Sequence, residues 1–165
     1  MSSGLEPRPA SASRSELIRW AGVQDANTAG FVHGGVVMKT CDEAAGIAAV
    51  RHCGGRVVTA GVDRMTFTEP VHIGELLTCR ATVNAAWRTS MEVGVRVEAE
   101  NPRTGESRHT STAYITMVAL GEDGRPTPVP GLIAGSEDEK RREREAELRR
   151  ANRLAERDQI LEDRD

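Results

Sequence analysis

The stretch HGGVVMKTCDEAAGIAAVRHCGG, residues 33–55, decides the architecture. From Gly34 to about Cys53 it predicts one long helix, closed by Gly54-Gly55, which suit the left-handed exit of a helix. The helix is rich in small residues: Cys41, Ala44, Ala45, Gly46, Ala48 and Ala49. Small side chains let a neighbouring backbone approach closely, so this helix is expected to sit against, or be wrapped by, a sheet. Gly46 in mid-helix costs about 1 kcal/mol relative to alanine, and close packing is the expected offset. Asp42 interrupts the small-residue pattern. At i±3 and i±4 spacing it shares a stripe with Met38, Ala45 and Ala49, the side expected to be buried, whereas Lys39 and Glu43 pair on the wet side. A carboxylate among small apolar groups has its charged form disfavoured and becomes a competent base near neutral pH. An aspartate at the helix border, in contact with water, fits the same spacing, and periodicity leaves both open.

Upstream, His33-Gly34-Gly35 lead into the helix start, where backbone N–H groups lack intrahelical partners and carry partial positive charge. Glycine there permits close approach of a ligand, and such a terminus can stabilise an oxyanion. An ordinary loop-to-helix turn has the same composition. Gly22 to Phe31 is turn-rich, Ser15 to Trp20 is a candidate strand, and residues 1–13 are expected to be a disordered leader.

Downstream, four extended segments follow: Arg56 to Phe67, Leu76 to Ala86, Met91 to Glu100 and His109 to Leu120. The third alternates cleanly. Met91, Val93, Val95, Val97 and Ala99 face one way, and Glu92, Arg96, Glu98 and Glu100 the other. Neighbouring strands with short turns mean an antiparallel sheet, so the fold class is α+β. The domain is expected over residues 14–133. Residues 134–165 then form a tail dominated by Glu, Asp, Arg and Lys. Ser136 and Glu139 make a capping-box pattern that starts a helix there, and its charges are expected to be a solvated face.

Composition excludes several classes. A net charge of -3 and 3% aromatic residues argue against nucleic-acid binding. No apolar run approaches the roughly 18 residues of a membrane span. The three cysteines, Cys41, Cys53 and Cys79, form no CxxC pair and read as reduced buried thiols of a cytoplasmic protein. His33, His52, His72 and His109 show no ligand spacing, so no metal site is expected. No serine sits in a GxSxG elbow, which disfavours a serine esterase.

Asp25-Ala26-Asn27-Thr28-Ala29-Gly30-Phe31-Val32-His33-Gly34-Gly35, followed by Asp42-Glu43-Ala44-Ala45-Gly46, resembles the active-site segment of hotdog acyl-CoA thioesterases. The closest likeness is to YciA-like enzymes and to cytosolic acyl-CoA hydrolases with tandem hotdog domains. It extends through Val62–Phe67, the Pro70 to Gly74 turn, Thr89–Val93, and Gly124-Arg125 to Val129-Pro130, and covers roughly Glu16 to Lys140. The resemblance implies a hotdog fold, an antiparallel sheet wrapped around a long central helix, here with a charged C-terminal helix added. It places the catalytic aspartate at Asp42 and the asparagine from the partner domain at Asn27. It implies a homodimer with composite sites, commonly assembled into a trimer of dimers. With Gly35 or Gly34 as the oxyanion donor, Asp42 then acts as base on water, or attacks directly. Arg88, Thr89 and Ser90 resemble the loop that contacts CoA, although a solvated hairpin turn has the same residues. No cofactor is implied, since CoA belongs to the substrate. Two rival readings are a hotdog hydratase of enoyl- or hydroxyacyl-CoA, for which His33 would be the candidate, and a non-catalytic acyl-CoA sensor.

Overall fold

A computed structural model describes residues 4–164. Helix α1 spans Gly34–Cys53, with Gly54 closing it at φ 74°. Strands β2 (Ser15–Trp20), β3 (Arg56–Val62), β4 (Leu76–Ala86), β5 (Ser90–Glu100) and β6 (Ser107–Leu120) form one antiparallel sheet, in the order β2-β4-β5-β6-β3. The inward residues of β5, from Met91 to Ala99, are wholly buried, as their alternation predicts. They meet Val37, Cys41, Ala44, Ala45, Ala48 and Ala49 of α1. These residues recur at three- and four-residue intervals, so one helical face lies in the concave side of the sheet. The opposite face of α1 stays open, exposing Met38, Ile47 and Val50.

Gly46 does not fill the role expected of it. A Cβ there would meet nothing within 4 Å, so no packing inside this chain offsets its helical cost. The Lys39–Glu43 pair does form, at 3.9 Å on the open side.

Four further expectations are corrected. The leader expected over residues 1–13 is ordered where it is described, while residues 1–3 lie outside the described residues. Strand β1 (Arg8–Pro9) pairs in parallel with β7 (Leu132–Ile133), and a 3₁₀ turn follows at Ala10–Ser13. Arg8 donates to the carbonyls of Arg51 and His52, capping the C-terminus of α1, and buried Ser13 accepts the N–H of Val83. Next, β3 stops at Val62 rather than Phe67. The chain bulges between Thr59 and Gly61 and then leaves the ladder.

The tail is helix α2 (Glu137–Glu162), and Ser136 and Glu139 close the capping box as read. Its face toward the sheet is not solvated: Ala146 is wholly buried, Arg149 lies over the Tyr114 ring at 3.6 Å, and Arg150 lies over Trp87. Lastly, Glu92, expected on the wet face of β5, is wholly buried beneath α2. Arg149 binds it through two nitrogens at 2.6 and 3.1 Å, and Asn84 donates to it at 3.1 Å.

Candidate active site

Asp42 sits on α1 between the packed face, which holds Cys41 and Ala45, and the open face, which holds Met38 and Ile47. It is half-buried, so the border placement is the one found. Thr59 of β3 donates its hydroxyl to Asp42 Oδ1 at 2.5 Å and lies 3.6 Å from the sulfur of Met117. Among the described residues nothing donates to Asp42 Oδ2, which leaves one oxygen available to take a proton. Thr59 carries no motif of its own and was not picked out from sequence. Only the pairing of β3 with β6, Thr59 opposite Met117, turns it toward α1.

The helix start is built by His33. Its Nδ1 accepts the N–H of Gly35 at 2.9 Å, and its carbonyl accepts those of Val36 and Val37. Gly35 is therefore occupied, and Gly34 is the glycine whose N–H meets no acceptor among the described residues. Accepting at Nδ1 places the proton of neutral His33 on Nε2. A Cβ on Gly34 would touch the Phe67 ring at 3.5 Å, so that ring rests beside the helix start. Gly34 precedes Asp42 by two turns, about 12 Å along the helix axis. The free N–H and the carboxylate of one chain are thus too far apart to act on one carbonyl.

Asn27 lies in the loop before α1, half-buried. Its side-chain oxygen accepts the N–H groups of Ala29 (3.0 Å) and Phe31 (3.1 Å), and no described acceptor meets its Nδ2. Its carbonyl oxygen is spent on shaping the loop, and its NH₂ group is left as a donor. No hydrogen bond links Asn27 to Asp42 among the described residues. The loop is anchored by buried Asp25, which accepts from Arg19 at 2.6 Å and from the N–H of Gly22 at 2.9 Å.

The Arg19 hydrogen bond, then that of Gly22, hold the Asp25 carboxyl below the ordinary carboxylate value of 3.8, against the opposing effect of burial. A depressed folded value contributes stability that is complete above the ordinary value and is lost as pH falls through the folded one. Asp25→Asn is therefore expected to flatten the fall of Tm with acidification below about pH 4. Parallel melting curves of the two proteins across that range would reject this anchoring role.

Arg88 and Thr89 form the turn between β4 and β5, which Ser90 leaves as the first residue of β5. The backbone of the turn is fixed by bonds from Trp87 N–H to Ser90, Ala119 N–H to Thr89 and Val129 N–H to Arg88, all between 2.8 and 3.0 Å. The Arg88 side chain is exposed and has no ion-pair partner among the described residues. Ser90 pairs with Val118, which pairs with Val58. The turn therefore stands at the Thr59 end of the sheet, two strands away or about 10 Å.

Cys41 and Cys79 are buried with their sulfurs 3.8 Å apart. Their mutual hydrogen bond, then burial, push the Cys41 thiol up, so it is no thiolate nucleophile. Buried His52 binds the carbonyl of Pro130. Among the described residues no His, Cys, Asp and Glu cluster is arranged to hold a metal ion, and no helix is long and apolar enough to cross a membrane.

The thioesterase superfamily family model matches residues 29–106. The cytosolic acyl coenzyme A thioester hydrolase of Rattus norvegicus is 41% identical over 140 residues, 83% of this chain and 36% of that protein. The chain thus spans little more than a third of that relative's length. Protein VdlD of Helicobacter pylori is 41% identical over 71% of this chain and 67% of its own. A crystal structure of an apo-hexameric acyl-CoA thioesterase superposes with a TM-score of 0.88 at 37% identity, covering 92% of this chain and 97% of that one. The acyl-CoA hydrolase of Staphylococcus aureus, solved with butyryl coenzyme A, coenzyme A and coenzyme A disulfide, has a TM-score of 0.84 at 33% identity, covering 94% and 96%. That protein is also solved with alanine in place of an asparagine, of an aspartate 15 positions later and of a threonine 17 beyond that.

Proposed function

The chain belongs to the thioesterase superfamily and has its hotdog fold, and from that premise we propose that it hydrolyses fatty acyl-CoA to the free acid and CoA. The observation that carries the proposal is the Thr59–Asp42 hydrogen bond, which fixes one carboxylate oxygen and leaves the other with no donor among the described residues. Asn27, Asp42 and Thr59 stand 15 and 17 positions apart, matching the three positions replaced in the Staphylococcus aureus acyl-CoA hydrolase.

The active assembly is a homo-oligomer built from dimers. Strand β3 lies at one end of the sheet, with no strand paired to its outer edge among the described residues and with Val58 and Val62 exposed. An apolar edge of that kind calls for a partner. The axial distance along α1 then divides each site. One subunit supplies Asn27 and the Gly34 N–H, and its partner supplies Asp42 and Thr59. A trimer of dimers matches the hexameric relative. The open space at Gly46 serves this interface or the acyl chain entering it.

In each site the thioester carbonyl accepts the N–H of Gly34, with Asn27 Nδ2 donating to the carbonyl or to the water. Asp42 takes a proton from that water as its oxygen attacks the carbonyl carbon. The oxyanion collapses, the C–S bond breaks, and CoA leaves as a thiolate that recovers the proton. The exposed Arg88, with Thr89 and Ser90, meets the anionic nucleotide end of CoA. The chemistry uses water alone, with no metal or cofactor, and its setting is the cytoplasm, as the name of the rat relative says of that protein.

His33, occupied in capping the helix, gives the hydratase reading no free base at Nδ1. The test is release of CoA thiol from purified protein given acyl-CoAs of varied length. Wild-type protein that binds acyl-CoA without releasing thiol would identify a sensor instead. Complementation tests the divided site. Asp42→Ala and Asn27→Ala proteins, each nearly inactive, are co-expressed. Half of random dimers are mixed and carry one intact site of two, so about a quarter of wild-type activity returns. No recovery would place both residues in one subunit's site.

A further inference from the structure

We propose that helix α2 is a latch on the loop that covers the oxyanion end of the site: the Asp63–Arg153 ion pair holds residues 63–69 so that Phe67 stays on Gly34. This rests on the acyl-CoA reading above.

The loop begins where β3 leaves the ladder. Its backbone is tied at its root by the Asp63 N–H to the carbonyl of Tyr114, and near its end by the Thr68 N–H to the carbonyl of Thr110. Among the described residues no backbone hydrogen bond holds residues 64–67. Phe67 is 45% exposed, a large aromatic ring kept partly in solvent beside the free N–H of Gly34. A ring there closes one side of the pocket in which a thioester carbonyl would dock and shields that polar contact from water.

The root of the loop is where α2 arrives. Arg149, Arg153 and Glu156 lie on one face at i, i+4 and i+7. Arg149 stacks on Tyr114, the residue whose carbonyl holds Asp63. Arg153 binds Asp63 Oδ2 at 2.8 Å, with the two side chains 33% and 19% exposed. Glu156 reaches Arg64 at 3.6 Å, a solvated pair that adds little. Arg149 and its buried partner Glu92 fasten α2 to the sheet. Arg153 does something else: it extends the grip past the end of the ladder, to the residue at which the loop departs. Arg153 is a positioning residue and touches no reacting atom.

The test uses the full chain. Arg153→Glu places two carboxylates where the pair stood. With one saturated acyl-CoA, KM is expected to rise about fivefold, the scale of a part-buried pair lost and made repulsive, with kcat within about twofold. Amides of residues 64–67 exchange faster than in wild type. The exchanged pair, Asp63→Arg with Arg153→Asp, returns KM to within about twofold of wild type, as a double-mutant cycle requires of a direct contact. Should Arg153→Glu fail to fold, Asp63→Asn carries the same expectation for KM and exchange. An unchanged KM, unchanged exchange, or a raised KM that the exchanged pair does not restore overturns the latch while leaving wild-type thiol release, and the acyl-CoA reading, intact. Absence of wild-type release overturns both.

Discussion

Asp42→Ala lowers the kcat for thiol release by about a thousandfold, within the range set by removing a general base. KM moves by less than about threefold, because the base acts on the water and not on the bound ground state. The residual rate reflects the helix start and Asn27, which still polarise the carbonyl. Stability changes little. Asp42 is half-buried and its one described partner is the Thr59 hydroxyl, so its loss orphans no buried charge. Asp42→Asn separates geometry from charge: it keeps an acceptor for Thr59 and an almost identical shape, yet takes no proton, and it should be as slow as the alanine variant. A single turnover in ¹⁸O-water divides base from nucleophile. A base puts the label into the first fatty acid released, whereas label found in Asp42 identifies a nucleophile whose mixed anhydride water opens at the Asp42 carbonyl. Thiol release undiminished in Asp42→Ala would remove the mechanism altogether.

Elements specified by local signals were legible in the sequence. The ends of α1 follow from Gly34-Gly35 and Gly54-Gly55, and the bounds of β2 and β4 come out to the residue, since turns and alternation act on neighbouring positions. What escaped depends on contacts made far along the chain. Arg8 and Ser13 are ordered by the end of α1 and by β4, through single polar bonds that leave no periodicity. The tail reads as a solvated helix because its packing face is made of arginines, whose stems cover apolar surface while their heads reach acids. Asn27 was singled out through resemblance alone, whereas the small-residue stripe of α1 picked out Asp42 but left it open between core and border. Thr59 had no signal in the sequence around it. Its role comes from the register of β3 on β6, which a strand of seven residues does not announce.

The buried acid under α2 yields the second large expectation. Glu92 is wholly buried on β5, and its carboxylate is held by both Arg149 nitrogens and by Asn84. Gly94 beside it is constrained, since a Cβ there would come within 2.6 Å of the Asn84 amide. Arg149→Ala removes the charge that balances Glu92 and the cation stacked on Tyr114 together. Breaking a buried pair on one side costs about 3–5 kcal/mol, which for a chain of this length lowers Tm by about 10 °C or more. The cost comes from the orphaned carboxylate more than from the lost attraction, and this gives the prediction its sharper form. Replacing both partners, Glu92→Leu with Arg149→Leu, removes the orphan, and the double variant is expected to melt well above Arg149→Ala. Thermal melting of the three proteins at pH 7 decides it. A double variant no more stable than Arg149→Ala would mean that the stacking on Tyr114, rather than the buried charge, fastens α2 to the sheet. An Arg149→Ala protein melting within about 2 °C of wild type would mean that neither does.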